Sequence, residues 1–482
     1  MTGRRKDSGS SCQIQSGIYS EKKFQKPPMM KRRTFISSTL AGTAGLMTGS
    51  AVLASGQSAG PGDKVVLALI GAGDRGRKTI INLCKISKGV EIKYICDVND
   101  IKSAMTLGEV KKQLGYAPTL VRNMREVFDD KEVDAVWIST PEHWHALATI
   151  WALQAGKHVY VEKNPTISIW EGRKMIEAAE KYKKVLQIGF QNRSASYGFS
   201  AREFIQSGQL GKVVHVKSYN MLGGSKWSAK PDTEVPQGLD WDAWIGPAQF
   251  RNYNPAVHDM NGRGGWLDFW DFGGGTLSDD ASHVMDLARL VLGDPGHPRS
   301  VYCVGGNWAW GSVGKETPEF QVITYDFGDF TMTCESGSAT SYMRKTPSRI
   351  RMSDSEFPDW DQNATRTEIY GTKGVMYLGR HGGGWQVFGD EKEVMAQDYG
   401  IFPDDQHQKN FIASIRGLEK PNGDVLQGHL SASLVHLGNI AYRAGNRHLV
   451  FDSEKEIFTN HKDANQYLKT AYREHYSIPD QV

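Results

Sequence analysis

The sequence predicts an α/β fold in two parts. A parallel sheet with helices on both faces comes first, and a second, mostly antiparallel sheet with helices on one face follows. Three observations carry this reading. Short apolar runs alternate with helical patterns over residues 63–190, and beyond about residue 195 the runs take on strand-like alternation. The apolar run 64–70 also ends at once in Gly71-Ala72-Gly73-Asp74-Arg75-Gly76, with a helical pattern from Arg77 to Ile86. Strands that alternate with helices imply a parallel sheet covered on both faces.

In order along the chain, strands are expected near 64–70, 91–96, 134–139, 158–162 and 185–190, with helices between them. A helix from Ala201 to Ser207 then leads to strands at 213–219, 300–306, 319–326, 329–335 and 367–378. Two late helical patterns, 405–417 and 427–445, are expected to cover one face of the second sheet. The segment from Gly223 to Gly275 is long for a connection in a compact domain, and such loops are usually functional. The domain reading is therefore 63–190 and 191–482, with 1–62 set apart.

Residues 1–62 read as an address and a linker. Lys31-Arg32-Arg33-Thr34-Phe35-Ile36 is a twin-arginine signature, followed by a weakly apolar stretch to Ala54 rich in small and hydroxylated residues. Such a stretch has too many small and hydroxylated residues for a membrane span, and no later stretch is apolar enough to span a bilayer. The expected location is the periplasm. A formal charge of +3 and the absence of a basic stripe give no case for a nucleic-acid partner. Five cysteines without metal spacing form neither a disulfide framework nor a metal motif.

The glycine pattern has a specific physical meaning. Gly71 permits a tight turn, Gly73 lets the backbone approach a pyrophosphate, and Gly76 lets the helix pack on the strand. Phosphates would sit at the helix start, beside Asp74 and Arg75, where N–H groups and the dipole favour negative charge. Asp97 closes the second strand about twenty residues past the last glycine, where an acid binds the adenosine ribose hydroxyls. A carboxylate there repels a 2′-phosphate, so NAD is expected over NADP.

Ligands of open α/β sheets lie beyond the carboxyl ends of the strands. Three further clusters fall there: Thr140-Pro141-Glu142-His143-Trp144-His145, Glu162-Lys163-Asn164-Pro165 and Gly189-Phe190-Gln191-Asn192-Arg193. Thr140, Pro141, His145, Glu162, Lys163 and Gln191 are the expected cofactor contacts. No third ligand is spaced to help His143 and His145 hold a metal, so none is expected. Lys163 at a strand end can hydrogen-bond a substrate hydroxyl. Asp279 and His283, four residues apart, are expected on one helical face, where an imidazole suits proton transfer near neutrality. Arg193, Tyr253, Trp266 and Trp270 are candidate substrate contacts.

Together these residues resemble the Gfo/Idh/MocA oxidoreductase family, which includes glucose-fructose oxidoreductase and inositol dehydrogenases. The resemblance runs from the Gly71 loop through Glu368-Ile369-Tyr370-Gly371-Thr372-Lys373-Gly374 to the late helices. The family's Glu-Lys-Pro signature stands here as Glu162-Lys163-Asn164-Pro165, and its Asp-x-x-x-His pair as Asp279 and His283, with Ala281 where glycine is usual. The resemblance implies an N-terminal Rossmann dinucleotide-binding domain and a C-terminal α/β domain with a large open, mostly antiparallel sheet, often used for oligomer contacts (a homodimer or homotetramer). It implies hydride transfer between NAD and a sugar, polyol or glycoside, with Lys163 positioning substrate and stabilising the alkoxide, Asp279 orienting substrate and His283 as general base. Export implies a tightly bound cofactor and a redox-neutral cycle. An NAD-dependent glycoside hydrolase working by transient 3-keto oxidation and elimination is the alternative, and a non-catalytic sugar-binding protein a third.

Overall fold

A computed structural model describes residues 64–482 apart from 225–226, 261–263 and 312–313. The expected export segment, residues 1–62, lies outside the described residues. No described helix is long and apolar enough to cross a membrane.

The first sheet is built from β1 (Val65–Ile70), β2 (Val90–Cys96), β3 (Thr119–Val121), β4 (Ala135–Ile138), β5 (His158–Val161) and β6 (Leu186–Ile188). Their order is β3-β2-β1-β4-β5-β6, all parallel, so the direction of winding reverses between β1 and β4. Helices α1 (Asp74–Ile86), α2 (Asp100–Leu114), α3 (Met124–Asp129), α4 (Glu142–Gln154) and α5 (Ile169–Tyr182) make the crossovers. The edge strand β3 escapes the sequence reading because it is three residues long and none is buried. β4 shows the opposite pattern: Ala135, Val136, Trp137 and Ile138 are all buried, as a central parallel strand requires.

The chain then forms α6 (Ser196–Gln206), β7 (Val213–Met221) and the short helices α7 (Trp241–Ile245) and α8 (Pro255–His258). Next come α9 (Ser282–Val291), β8 (Ser300–Gly306), β9 (Phe320–Asp326), β10 (Thr331–Gly337), α10 (Ser348–Arg351) and β11 (Thr365–Gly371). β12 (Gly374–Gly379), β13 (Trp385–Phe388), β14 (Val394–Asp398), α11 (Asp404–Ile415), α12 (Val425–Arg443), β15 (Leu449–Asp452) and β16 (Ile457–Phe458) complete it. The second sheet has ten strands in the order β14-β13-β12-β11-β7-β10-β9-β8-β15-β16, antiparallel except for β7 with β10. The expected strand 367–378 is in fact a hairpin, turning at Thr372-Lys373 between β11 and β12.

Only one of the two late helices covers the second sheet. α12 packs with α9 on its inner face, where Leu434, Leu437 and Ile440 meet Ile323 and Tyr325. α11 instead places Phe411 and Ile412 in the first domain's core beside Leu67, Trp137 and Tyr160. Apolar spacing marks a buried stripe on a helix but not the sheet that buries it.

A staple of charge joins α5, α12 and the β15–β16 turn. Glu456 accepts hydrogen bonds from His297 at 2.9 Å, His429 at 2.6 Å and the Arg173 guanidinium. These hold its carboxyl well below the usual range in spite of burial. His297, His429 and Glu456 lie close enough to reach one cation, and Arg173 places a positive charge on Glu456. Gly172 makes room for the staple, since a Cβ there would lie 2.2 Å from His429 Nδ1.

The two later glycines of the β1–α1 loop separate fold from ligand. A Cβ on Gly76 would lie 2.2 Å from the Gly71 carbonyl oxygen, whereas one on Gly73 meets nothing within 4 Å. Gly76→Ala should therefore lower stability by about 2 kcal/mol, read as an earlier urea midpoint. Gly73→Ala should keep the wild-type midpoint and weaken NADH binding alone, measured by fluorescence titration.

Candidate active site

A cavity of about 1290 Å³ opens beyond the carboxyl ends of the parallel strands. At one end it is lined by Gly71, Gly73, Asp74 and Arg75, at the start of α1. No side chain caps α1, whose N-cap is Gly73, so its first N–H groups remain for an anion. The uncapped helix start and the open space over Gly73 fit a dinucleotide pyrophosphate. Gly76 faces the strand and not the cavity, as helix packing requires. Arg75 donates from Nε to Glu162 at 2.8 Å and pairs with Asp404, which joins the glycine loop to β5 and α11. Asp97 lines the same end, with its Oδ2 held by the Ala72 N–H at 2.6 Å and its Oδ1 by the Asn99 N–H at 2.8 Å. Burial raises its carboxyl pKa, and these two N–H groups oppose the rise.

The other end gathers Glu142, Lys163, Gln191, Trp266, Asp279 and His283, with Thr140 and Pro141 on the wall between. Lys163 leaves the end of β5 and spans to the second domain. Its Nζ donates to the carbonyl oxygens of Ser278 (3.3 Å) and Asp279 (3.0 Å) and to Asp279 Oδ1 (3.1 Å). Burial opposes the charge, but Asp279 and its acidic neighbours outweigh it and hold the ammonium above its ordinary pKa.

Asp279 and His283 do not share a regular helical face. The chain kinks at Asp279 (φ −71°, ψ −112°) in a wide turn, Leu277–Ala281, and α9 begins only at Ser282. Side-chain hydroxyls compete with the backbone here. Ser282 Oγ donates to the carbonyls of Ser278 and Asp279, and Lys163 takes the same two oxygens. His283 lies edge-on to Phe190, with ring centroids 5.6 Å apart. Burial and the charges of Arg380 and Lys163 hold its pKa well below that of an ordinary histidine, so the imidazole is neutral.

Four expected contacts stand away from the cavity. His145 is a buried tie: Nδ1 meets the Asn164 carbonyl at 2.7 Å and Nε2 the Thr140 carbonyl at 2.8 Å. Arg193 is buried in ion pairs with Asp286 (2.7 Å) and Asp294 (3.0 Å). Tyr253 packs edge-on to Trp241 in an aromatic cluster, and Trp270 carries the Arg443 guanidinium over its ring. Each was placed by loop position, which does not say which way a side chain turns. The residues missed are Arg351, Arg380 and His381, which line the cavity from the second domain. Their one signal is the pairing of Arg380-His381 with the glycine run Gly382-Gly383-Gly384, all three at positive φ, just after β12.

The chain is similar in sequence and fold to known proteins. Residues 65–190 match the model described as "Oxidoreductase family, NAD-binding Rossmann fold". Residues 200–339 and 361–478 match "Oxidoreductase family, C-terminal alpha/beta domain". A glycosyl hydrolase family 109 protein of Shewanella baltica is 27% identical over 207 residues, and an alpha-N-acetylgalactosaminidase of Shewanella oneidensis 28%. Each of those alignments covers 38% of this chain and 44% of the relative's length. Among solved structures, the WlbA dehydrogenase of Bordetella pertussis, in complex with NADH and UDP-GlcNAcA, superposes with a TM-score of 0.57 at 19% identity, covering 81% of this chain and 99% of that one. The aldose-aldose oxidoreductase of Caulobacter crescentus gives 0.57 at 17%, covering 80% and 100%. With both of its domains matched and the glycine loop, Lys163 and His283 facing one cavity, the chain belongs to the Gfo/Idh/MocA family of NAD-binding oxidoreductases.

Proposed function

We propose that the protein oxidises a secondary alcohol of a sugar, polyol or glycoside with NAD held tightly, and that it works in the periplasm after twin-arginine export. The observation that carries the reading is the convergence of Lys163, Asp279 and His283 on the cavity that begins at the uncapped start of α1. When bound, the nicotinamide supplies the hydride acceptor. The protein's own residues handle charge and protons. Neutral His283 accepts the hydroxyl proton, and the Lys163 ammonium, fixed by three oxygens, stabilises the developing alkoxide electrostatically. Asp279 holds that ammonium in place and offers its carboxylate to a neighbouring hydroxyl. Asp97 at the ribose end supports NAD over NADP.

Glu142 shapes the field beneath Lys163. Burial lifts its carboxyl pKa to about 8, against the pull of Lys163, so near neutrality it is mostly protonated. Asp279 then remains the counter-ion of Lys163.

A second reading, transient oxidation followed by elimination of an aglycone, is supported by the similarity to glycosyl hydrolase family 109 proteins. We also propose self-association through the outer face of the second sheet, where Tyr302 and Val304 are exposed. Light scattering that gives a monomer mass would exclude it.

Purified protein should release NAD(H) on denaturation and reduce or oxidise members of a monosaccharide panel. Release of phenol from aryl glycosides would favour the second reading. Lys163→Met and His283→Ala should each lower kcat by about 100-fold or more while retaining cofactor, and wild-type rates in either would refute the assigned roles. Replacement of Arg32 and Arg33 by Lys should leave the protein in the cytoplasm, as read by fractionation.

The pH dependence follows from Glu142. Its folded-state pKa is raised, so the stability attached to its proton is whole below the unfolded value of 4.5 and is lost as pH rises towards about 8. Glu142→Gln should therefore gain on the wild type by about 1.4 kcal/mol per pH unit across that window. Urea titrations from pH 5 to 9 read this, and parallel pH curves would refute it.

A further inference from the structure

We propose that the carbohydrate taken by this cavity is acidic, and that its carboxylate or ester oxyanion docks on Arg380 and Arg351; this rests on the carbohydrate reading above and narrows it. Arg380 follows β12 and lines the cavity with only 4% of its side chain exposed. Its guanidinium lies over the Phe402 ring, 5.0 Å from the centroid. Nη2 stands 3.9 Å from Asp280 Oδ1, too far for a hydrogen bond, and Nε and Nη1 have no hydrogen-bond partner among the described residues. Arg380 thus keeps a buried cation with most of its donors unused, an arrangement that is costly unless something else completes it.

The described residues do not supply that completion. Among the described residues Asp280 is the only carboxylate within 4 Å of this guanidinium, and it also pairs with Lys345 and stands 3.6 Å from His381 Nε2. Asp404 acts on the guanidinium from farther off while paired with Arg75. His381 Nδ1 is taken by Thr365 at 2.9 Å. Arg351, half-buried on the same wall, adds a further cation whose Nε donates to the Thr346 carbonyl at 2.8 Å. Arg380, Arg351 and Lys345 therefore share Asp280, and the next acid, Asp404, is already paired with Arg75. The α1 start, which would cradle the cofactor phosphates, has its own cation in Arg75, matched by Glu162 and Asp404. The excess also lies within electrostatic reach of the proton acceptor, since the Arg380 charge helps to hold His283 neutral. A planar, forked guanidinium suits an oxyanion far better than a neutral hydroxyl. A site built around that contact rejects the analogue lacking it.

The test uses the NADH-loaded enzyme and titration calorimetry with sodium glucuronate, sodium galacturonate, glucose 6-sulfate, glucose 6-phosphate and glucose. At least one of the anions should bind about tenfold more tightly than glucose, and the two uronates against the two esters distinguish a carboxylate from an ester oxyanion. Arg380→Gln and Arg351→Gln should each erase that preference, while NADH affinity and the cooperativity of thermal unfolding stay near wild type. Should Arg380→Gln fail to fold, half-buried Arg351 decides the matter. Glucose binding as tightly as every anion, or a preference that survives Arg351→Gln, overturns the proposal. The two readings fail separately. Anion-selective binding without oxidation of any sugar keeps the docking site and removes the oxidoreductase, whereas oxidation of neutral sugars without anion preference does the reverse.

Discussion

The site depends on one ammonium. Lys163 belongs by chain position to the first sheet and by hydrogen bonding to the second domain, through the Ser278 and Asp279 carbonyls and the Asp279 carboxylate. Those carbonyls are free to receive it only because the chain at Leu277–Ala281 is not yet a regular helix. A uniform helix would turn both oxygens into its own ladder and leave a buried lysine without acceptors. The kink at Asp279 and the position of Lys163 are thus one structural fact seen from two domains. Arg75 makes the complementary bridge, from the glycine loop to Glu162 and Asp404. Cofactor end and chemical end are held in register by two cations that cross between elements.

Burial then assigns protonation states around that ammonium. Glu142 and His283 are both driven toward their neutral forms, the acid by desolvation and the base by desolvation with Arg380 and Lys163 beside it. Asp280 goes the other way, because His381, Lys345 and Arg380 overcome its burial. The outcome is a floor with Asp279 paired to Lys163, Asp280 paired to Lys345, and a proton acceptor that carries no charge of its own. Such preorganised dipoles and charges act most strongly where water is scarce.

How much of this was readable from residues alone divides by length scale. The glycine loop, the strand-end position of Lys163 and the pairing of Asp279 with His283 are local patterns, and each falls on the cavity wall. Orientation is not local. Arg193 shares with Gln191 the short helical turn after β6, yet it turns into Asp286 and Asp294 while Gln191 turns to the cavity. What decides between them is two acids about a hundred residues downstream. β3 fails for another reason, since an exposed three-residue edge carries no apolar signal. Arg351, Arg380 and His381 lie far along the chain, at the end of α10 and just after β12, and only tertiary folding brings them to the cavity that Lys163 lines.

The long connection between β7 and α9 shows how an irregular segment is made rigid enough to shape a cavity. Its core is aromatic: Trp241 stacks on Trp244 at 4.6 Å, Tyr253 meets Trp241 edge-on, and Phe272 closes the cluster. That cluster is fastened to the first domain by hydrogen bonds from the His143 and Trp144 rings to a single acceptor, the Trp244 carbonyl, at 3.0 and 3.1 Å. Gly246 lies against the Trp144 ring, and a Cβ there would come within 2.2 Å of it. His143 therefore serves the site without facing it. It anchors the segment from which Trp266 reaches the cavity, and the same tie accounts for the burial of a histidine at the start of α4.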